Sequence, residues 1–109
     1  MAKPEYHRVH MRSVEGDHVT AYLPLAETRL DKAGPQPYLM KAVWDGDYYY
    51  GELRVQAGRH NRIEWDSGPN SLTDLGTVPI KPGAVIRIYA DDNTAADFKA
   101  FTVHEVARV

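Results

Sequence analysis

The sequence predicts an all-β fold: a two-sheet antiparallel β-sandwich with Greek-key crossing and about seven or eight strands. Three observations predict it. Apolar residues recur at every second position, as in Val19, Ala21, Leu23 and Leu25. Turn signals such as Gly16-Asp17, Asp45-Gly46 and Lys81-Pro82-Gly83 separate these runs at regular intervals. No segment carries a helical stripe longer than one or two turns, residues 25–32 coming nearest.

The elements follow in order. Val9 and Met11 alternate with His10 and Arg12, so residues 6–14 read as a strand, paired across Gly16-Asp17 with residues 18–25. Pro24 lacks an N–H, which places that strand at an edge or ends it there. Breakers at Gly34, Pro35 and Pro37 make residues 31–37 a loop. Residues 38–44 and 48–56 form a hairpin, because Asp45-Gly46 favours a two-residue type I′ turn. That turn sets the register Trp44–Asp47, Val43–Tyr48, Ala42–Tyr49 and Lys41–Tyr50.

One face of the hairpin then carries Tyr38, Met40, Ala42, Trp44, Tyr49, Leu53 and Val55, and faces the core. The other carries Leu39, Lys41, Val43, Tyr48, Tyr50, Glu52 and Arg54. Residues 57–60 read as a turn. Residues 62–66 form a short strand with Ile63 and Trp65 inward, and residues 67–70 a loop. Residues 77–80 read as a further strand, and residues 84–90 as another with Ile86 and Ile88 inward. Residues 91–96 form a polar loop. The last strand, 98–109, shifts its inward set from Phe101 and Val103 to Val106, which predicts a bulge near His104-Glu105.

The 109 residues fit one domain, 1–109, with a single modest core. With no cysteine there is no disulfide framework and no thiolate metal or redox site. A formal charge of −2 argues against a nucleic-acid partner. Neither a signal peptide nor a transmembrane segment is visible, so the expected location is the cytoplasm or a larger assembly.

No nucleophile elbow, phosphate-cradling glycine loop or thiol nucleophile is present, and a non-enzymatic role is expected. Three adjacent tyrosines cannot share one strand face. Tyr48 and Tyr50 therefore point away from Tyr49 and join Lys41 and Arg54 in an aromatic-basic patch. Such residues are enriched where proteins meet. The leading expectation is a binding or assembly module for a protein partner or a second copy, acting through a sheet face or a loop end.

Acidic loops offer an alternative. The stretch from Leu30 and Asp31 through Gly34 to Pro37-Tyr38-Leu39 resembles the first calcium loop of the calcium- and phospholipid-binding C-two domain of protein kinase C and synaptotagmin. Ile86 to Asp91, continuing to Asp97-Phe98, is similar to that family's later strand and third calcium loop. Ile63 to Asp66 loosely resembles the tryptophan-bearing strand between them. The resemblance implies a sandwich that takes calcium through Asp31, Asp91 and Asp97 and meets a membrane only with calcium bound. Gln36 stands where that family has an aspartate, Tyr89 at the first acidic position of the later loop, and Ala100 at a glycine. Fewer carboxylates imply weakened calcium binding. A third expectation is a structural component of a larger assembly, such as a phage particle or secretion apparatus.

Overall fold

Alternation makes strands here, and most strands pair with their sequence neighbours. The computed structural model describes residues 5–32, 35–57, 60–91 and 97–109. Its strands are β1 (Tyr6–Arg12), β2 (His18–Ala26), β3 (Arg29–Leu30), β4 (Tyr38–Trp44), β5 (Asp47–Arg54), β6 (Asn61–Trp65), β7 (Ser71–Thr73), β8 (Val85–Tyr89) and β9 (Phe98–Arg108). They lie in one sheet, in the order β1-β9-β8-β7-β6-β5-β4-β2-β3, and β1 also pairs with β2. That pairing closes the sheet into an eight-strand antiparallel barrel, with β3 a two-residue appendage on β2.

The expected two-sheet Greek-key sandwich is thereby corrected. The long β9 pairs with β8 along one side and with β1 along the other, so no open edge remains between the chain's first and last strands. Setting β3 aside, each strand's neighbours in the ring are its neighbours in sequence, β1–β9 excepted. The topology is an up-and-down meander with no crossing connection.

The hairpin register holds from Trp44–Asp47 through Tyr38–Leu53, around a turn in which Asp45 and Gly46 both have positive φ (51° and 84°). The β9 bulge is also present: His10 pairs with Glu105 and Met11 with Val103, leaving His104 as the extra residue. Pro24, expected at an edge or strand end, lies inside β2. The Leu25 N–H bonds toward β1 at Glu5 O, so by alternation the Pro24 nitrogen faces the other side. There the last β4 pair, Ala21–Met40, has already passed, so no bond to β4 is lost, and Pro24 O still accepts from the Asp31 N–H on the β3 side.

Residues 77–80 are not a strand; the strand in this region is Ser71–Thr73. Leu75 and Ile80 are buried without belonging to any strand. Together with Leu30 they pack into the hydrophobic core, and the Ile80 N–H bonds to Thr28 O in the β2–β3 turn. The barrel interior is otherwise filled by strand side chains, including Val9, Met11, Leu23, Met40, Leu53, Ile63, Ile86, Ile88 and Phe101. Eight strands enclose a space that side chains can fill.

In a meander, successive connections alternate between ends. Those after β1, β4, β6 and β8 share one end, and those after β2, β5 and β7 share the other. Leu30, Leu75 and Ile80 plug the second end. The first end carries an open mouth.

Candidate functional site

The mouth is built from residues at the ends of β4, β5 and β6. Ala42 and Trp44 leave β4 inward, Tyr49 stands opposite Ala42 on β5, and Trp65 closes β6. With Ser67, Gly68, Pro69, Ser71 and Ala90 they line a cavity of about 130 Å³. Tyr49 meets Trp65 edge to face with ring centroids 6.1 Å apart. The Trp65 indole N–H donates to Ser71 Oγ at 3.0 Å, fixing the ring.

Gly51 makes room for that indole. A Cβ at Gly51 would lie 2.7 Å from Trp65 Cε3, so any side chain there would displace the pocket wall. This is a close approach that glycine alone permits.

Lys99 supports the mouth from β9. It shares the inward face of Phe101 and Val103, and its Nζ donates to Asp17 Oδ2 at 2.6 Å and Asp45 Oδ1 at 2.7 Å. The Asp45 N–H donates to the second Asp17 oxygen at 2.9 Å. One ammonium thus ties the β1–β2 turn, the β4–β5 turn and β9 together. The same ammonium lies 4.8 Å from the Trp44 ring centre, and Phe101 packs on Trp44 at 5.5 Å.

Burial alone would raise the Asp17 carboxyl. The hydrogen bonds from Lys99, the Asp45 N–H and Ser13, with the Lys99 charge, overcome burial and hold it below the usual carboxylate value. For Lys99, burial opposes the charge, and the two aspartates outweigh it and raise the ammonium pKa.

The end that bears the mouth is acidic. Its connections and the residues flanking them carry Glu15 and Asp17, Asp45 and Asp47, Asp66, and Asp91 and Asp97. The connections themselves contain no lysine or arginine in sequence. Lys99 is held by its aspartates, and Arg12 ends β1 as an exposed residue. The formal charge of −2 conceals this polarity, because the described connections of the plugged end are balanced, with Arg29, Lys32 and Lys81 equalled in number by Glu27, Asp31 and Asp74.

The residues singled out by sequence separate into three places. Lys41, Tyr48 and Tyr50 come together on the outer wall with His18, Thr20 and Val43, around a shallow groove of about 260 Å³. Tyr48 is 80% and Tyr50 61% exposed. Arg54 shares their face but lies toward the other end of β5, where it donates to Glu64 and sits 3.6 Å from Glu52. The four therefore do not form one patch. Beside the groove, His10 and His18 stack at 5.4 Å. Burial, then the charges of His18, Arg12 and His104, lower the His10 pKa, with Glu105 in partial opposition.

The three expected calcium ligands fall at opposite ends. Asp31 lies at the plugged end, its N–H bonded to Pro24 O. Asp91 and Asp97 flank the β8–β9 connection at the mouth, where the Ala90 N–H donates to Asp97 O. One coordination sphere cannot include all three. Gly34 of the first loop and residues 92–96 of the second lie outside the described residues, as do Gly58 and Arg59 of the expected turn. Among the described residues no group of three or more His, Cys, Asp or Glu side chains is placed to hold a metal.

Comparison with protein-family models, with curated proteins and with solved structures returned no match. Among the described residues no helix is long and apolar enough to cross a membrane.

Proposed function

We propose that the protein is a non-enzymatic binding module whose site is the barrel mouth. The observation that carries this reading is the convergence of Trp44, Tyr49 and Trp65 on one cavity at the unplugged end. An apolar concavity with a few polar groups is the usual form of a small-ligand site. The described lining contains no carboxylate, imidazole or amine, which favours holding a ligand over proton-transfer chemistry. The cavity suits a small group: an apolar cavity of about 150 Å³ accommodates a benzene-sized guest.

A panel of benzene-sized apolar and aromatic compounds, titrated by NMR, tests the reading. Saturable shifts are expected at the Trp44 and Trp65 indole N–H signals, with Leu75 and Ile80 at the plugged end unmoved. Absence of any saturable shift at either indole would remove the reading.

The outer wall supports a second reading, a protein contact. Its groove collects Lys41, His18 and two exposed tyrosines, and its basic groups complement the acidic mouth end of another copy.

A further inference from the structure

We infer that the mouth recognises a quaternary ammonium group, a cation whose charge is sheathed in methyl groups. The inference rests on reading the mouth as a binding site, and it names the ligand's chemistry.

Four features converge on it. The walls are the π-rich rings of Trp44, Tyr49 and Trp65, and ring faces attract cations by their quadrupole. The surrounding connections supply net negative charge, because among the described residues at that end seven carboxylates, those of Asp47 and Asp97 among them, outnumber the cations Lys99 and Arg12. Among the described residues the lining offers few side-chain hydrogen-bonding groups: the hydroxyls of Ser67 and Ser71 and the Tyr49 phenol, with Ser71 Oγ already accepting from Trp65. A quaternary ammonium has no N–H to satisfy, whereas a sugar or nucleobase would leave polar groups unpaired. Finally, the mouth already places one ammonium, that of Lys99, on the Trp44 ring beside two carboxylates.

The cavity's size fits a head group and excludes a whole lipid or large cofactor. The group can arrive on a free small molecule or on a trimethylated lysine of a peptide. The binding chemistry is shared.

The test is calorimetric titration of the full chain with four probes. They are choline, its neutral isostere 3,3-dimethylbutanol, a short peptide bearing trimethyl-lysine, and the same peptide with unmodified lysine. Choline is expected to bind about tenfold more tightly than the isostere, the margin a desolvated cation–π contact provides. The margin narrows as salt rises. Asp47→Asn combined with Asp97→Asn, at the exposed rim, weakens choline a few-fold and leaves the isostere unchanged, so the charge is tested without disturbing the packed wall. Trp65→Leu abolishes binding of both.

If the trimethyl-lysine peptide outbinds choline and the unmodified peptide does not bind, the group comes from a protein. If choline binds as well as or better than the modified peptide, it comes from a small molecule. Equal affinity for choline and isostere overturns the cation inference while the pocket reading stands. No heat from any probe, with no indole shift in the compound panel, removes both.

Discussion

The barrel has a long-strand wall and a short-strand wall, held together differently. In the long wall, β1 and β2 pair from Tyr6–Pro24 to Arg12–His18, and β4 and β5 from Tyr38–Leu53 to Trp44–Asp47. In the short wall, β7 and β8 share a single register pair, Thr73–Ile88. There, side chains replace the missing ladder. Thr73 Oγ1 donates to Arg87 O at 2.7 Å and accepts from the Leu75 N–H at 3.1 Å. Asp74 Oδ1 accepts from the Arg87 N–H at 2.7 Å. Buried Asn61 accepts from the Gln56 N–H and donates to Leu75 O. A sheet can therefore close through a stretch too short to ladder, provided polar side chains satisfy the buried backbone.

The largest expected effect breaks the long wall. Lys99→Met leaves the largely buried Asp17 carboxylate without its ammonium and unties two turns from β9. A loss of about 2–3 kcal/mol at neutral pH is expected in urea unfolding, toward the low side for a broken buried pair because Asp45 is exposed. The effect depends on pH. The folded Asp17 carboxyl sits below its unfolded value of 3.8, so its stabilisation is full above that value and is lost as pH falls through the folded one. The gap between the original protein and Lys99→Met should close in that acid range. A gap that stays constant into acid would show that Asp17 is not the partner that matters.

A smaller effect tests the short wall. Thr73→Val keeps the shape and removes the hydroxyl, which strands the Leu75 N–H and leaves Arg87 O with only the Asp74 N–H at 3.3 Å. About 1–2 kcal/mol should be lost. Hydrogen exchange should quicken at β7 and β8 while β1 and β2 amides keep their relative protection. Uniform quickening would mean that the two walls open as one unit.

The smallest effect lies on the outside of the long wall. Tyr48→Ser with Tyr50→Ser should change stability by no more than about 0.5 kcal/mol, as for exposed positions. The same pair should reduce self-association in sedimentation velocity. An unchanged sedimentation profile removes the self-contact reading of the outer groove.

The long wall was the legible one. Period-two alternation identifies β1, β2, β4, β5, β8 and β9, and Asp45-Gly46 fixes a whole hairpin from two residues. In the short wall β8 is legible but β7 is not, because Ser71 and Thr73 face inward and Leu72 outward, reversing the expected polarity. Those inward hydroxyls serve Trp65 and Arg87 O, a use that no local pattern reveals. Leu75 and Ile80 look like strand residues and act as a plug. Closure itself was invisible, since alternation reads the same in a sandwich and in a barrel.

The mouth followed closure into obscurity. Trp44, Tyr49 and Trp65 are legible as inward residues, but only a closed ring brings them to one opening. Likewise Asp17, Asp45, Asp66 and Asp91 read separately as ordinary turn residues. The meander is what gathers alternate turns at one end.

The pairing of β1 with β9 also sets the order in which the molecule can assemble. Along the ring every other seam joins strands adjacent in sequence once β3 is set aside, so each can form as a local hairpin. The last seam joins His7 to Arg108, and its rim ion pair links Glu5 to Arg108 across 103 positions of chain. Nearly all the long-range loop-closure entropy is therefore concentrated in one step. Until that step, β1 and β9 are exposed strand edges. Completing it shields them both and leaves Tyr6 and Val109 side by side, at the end of the barrel away from the mouth.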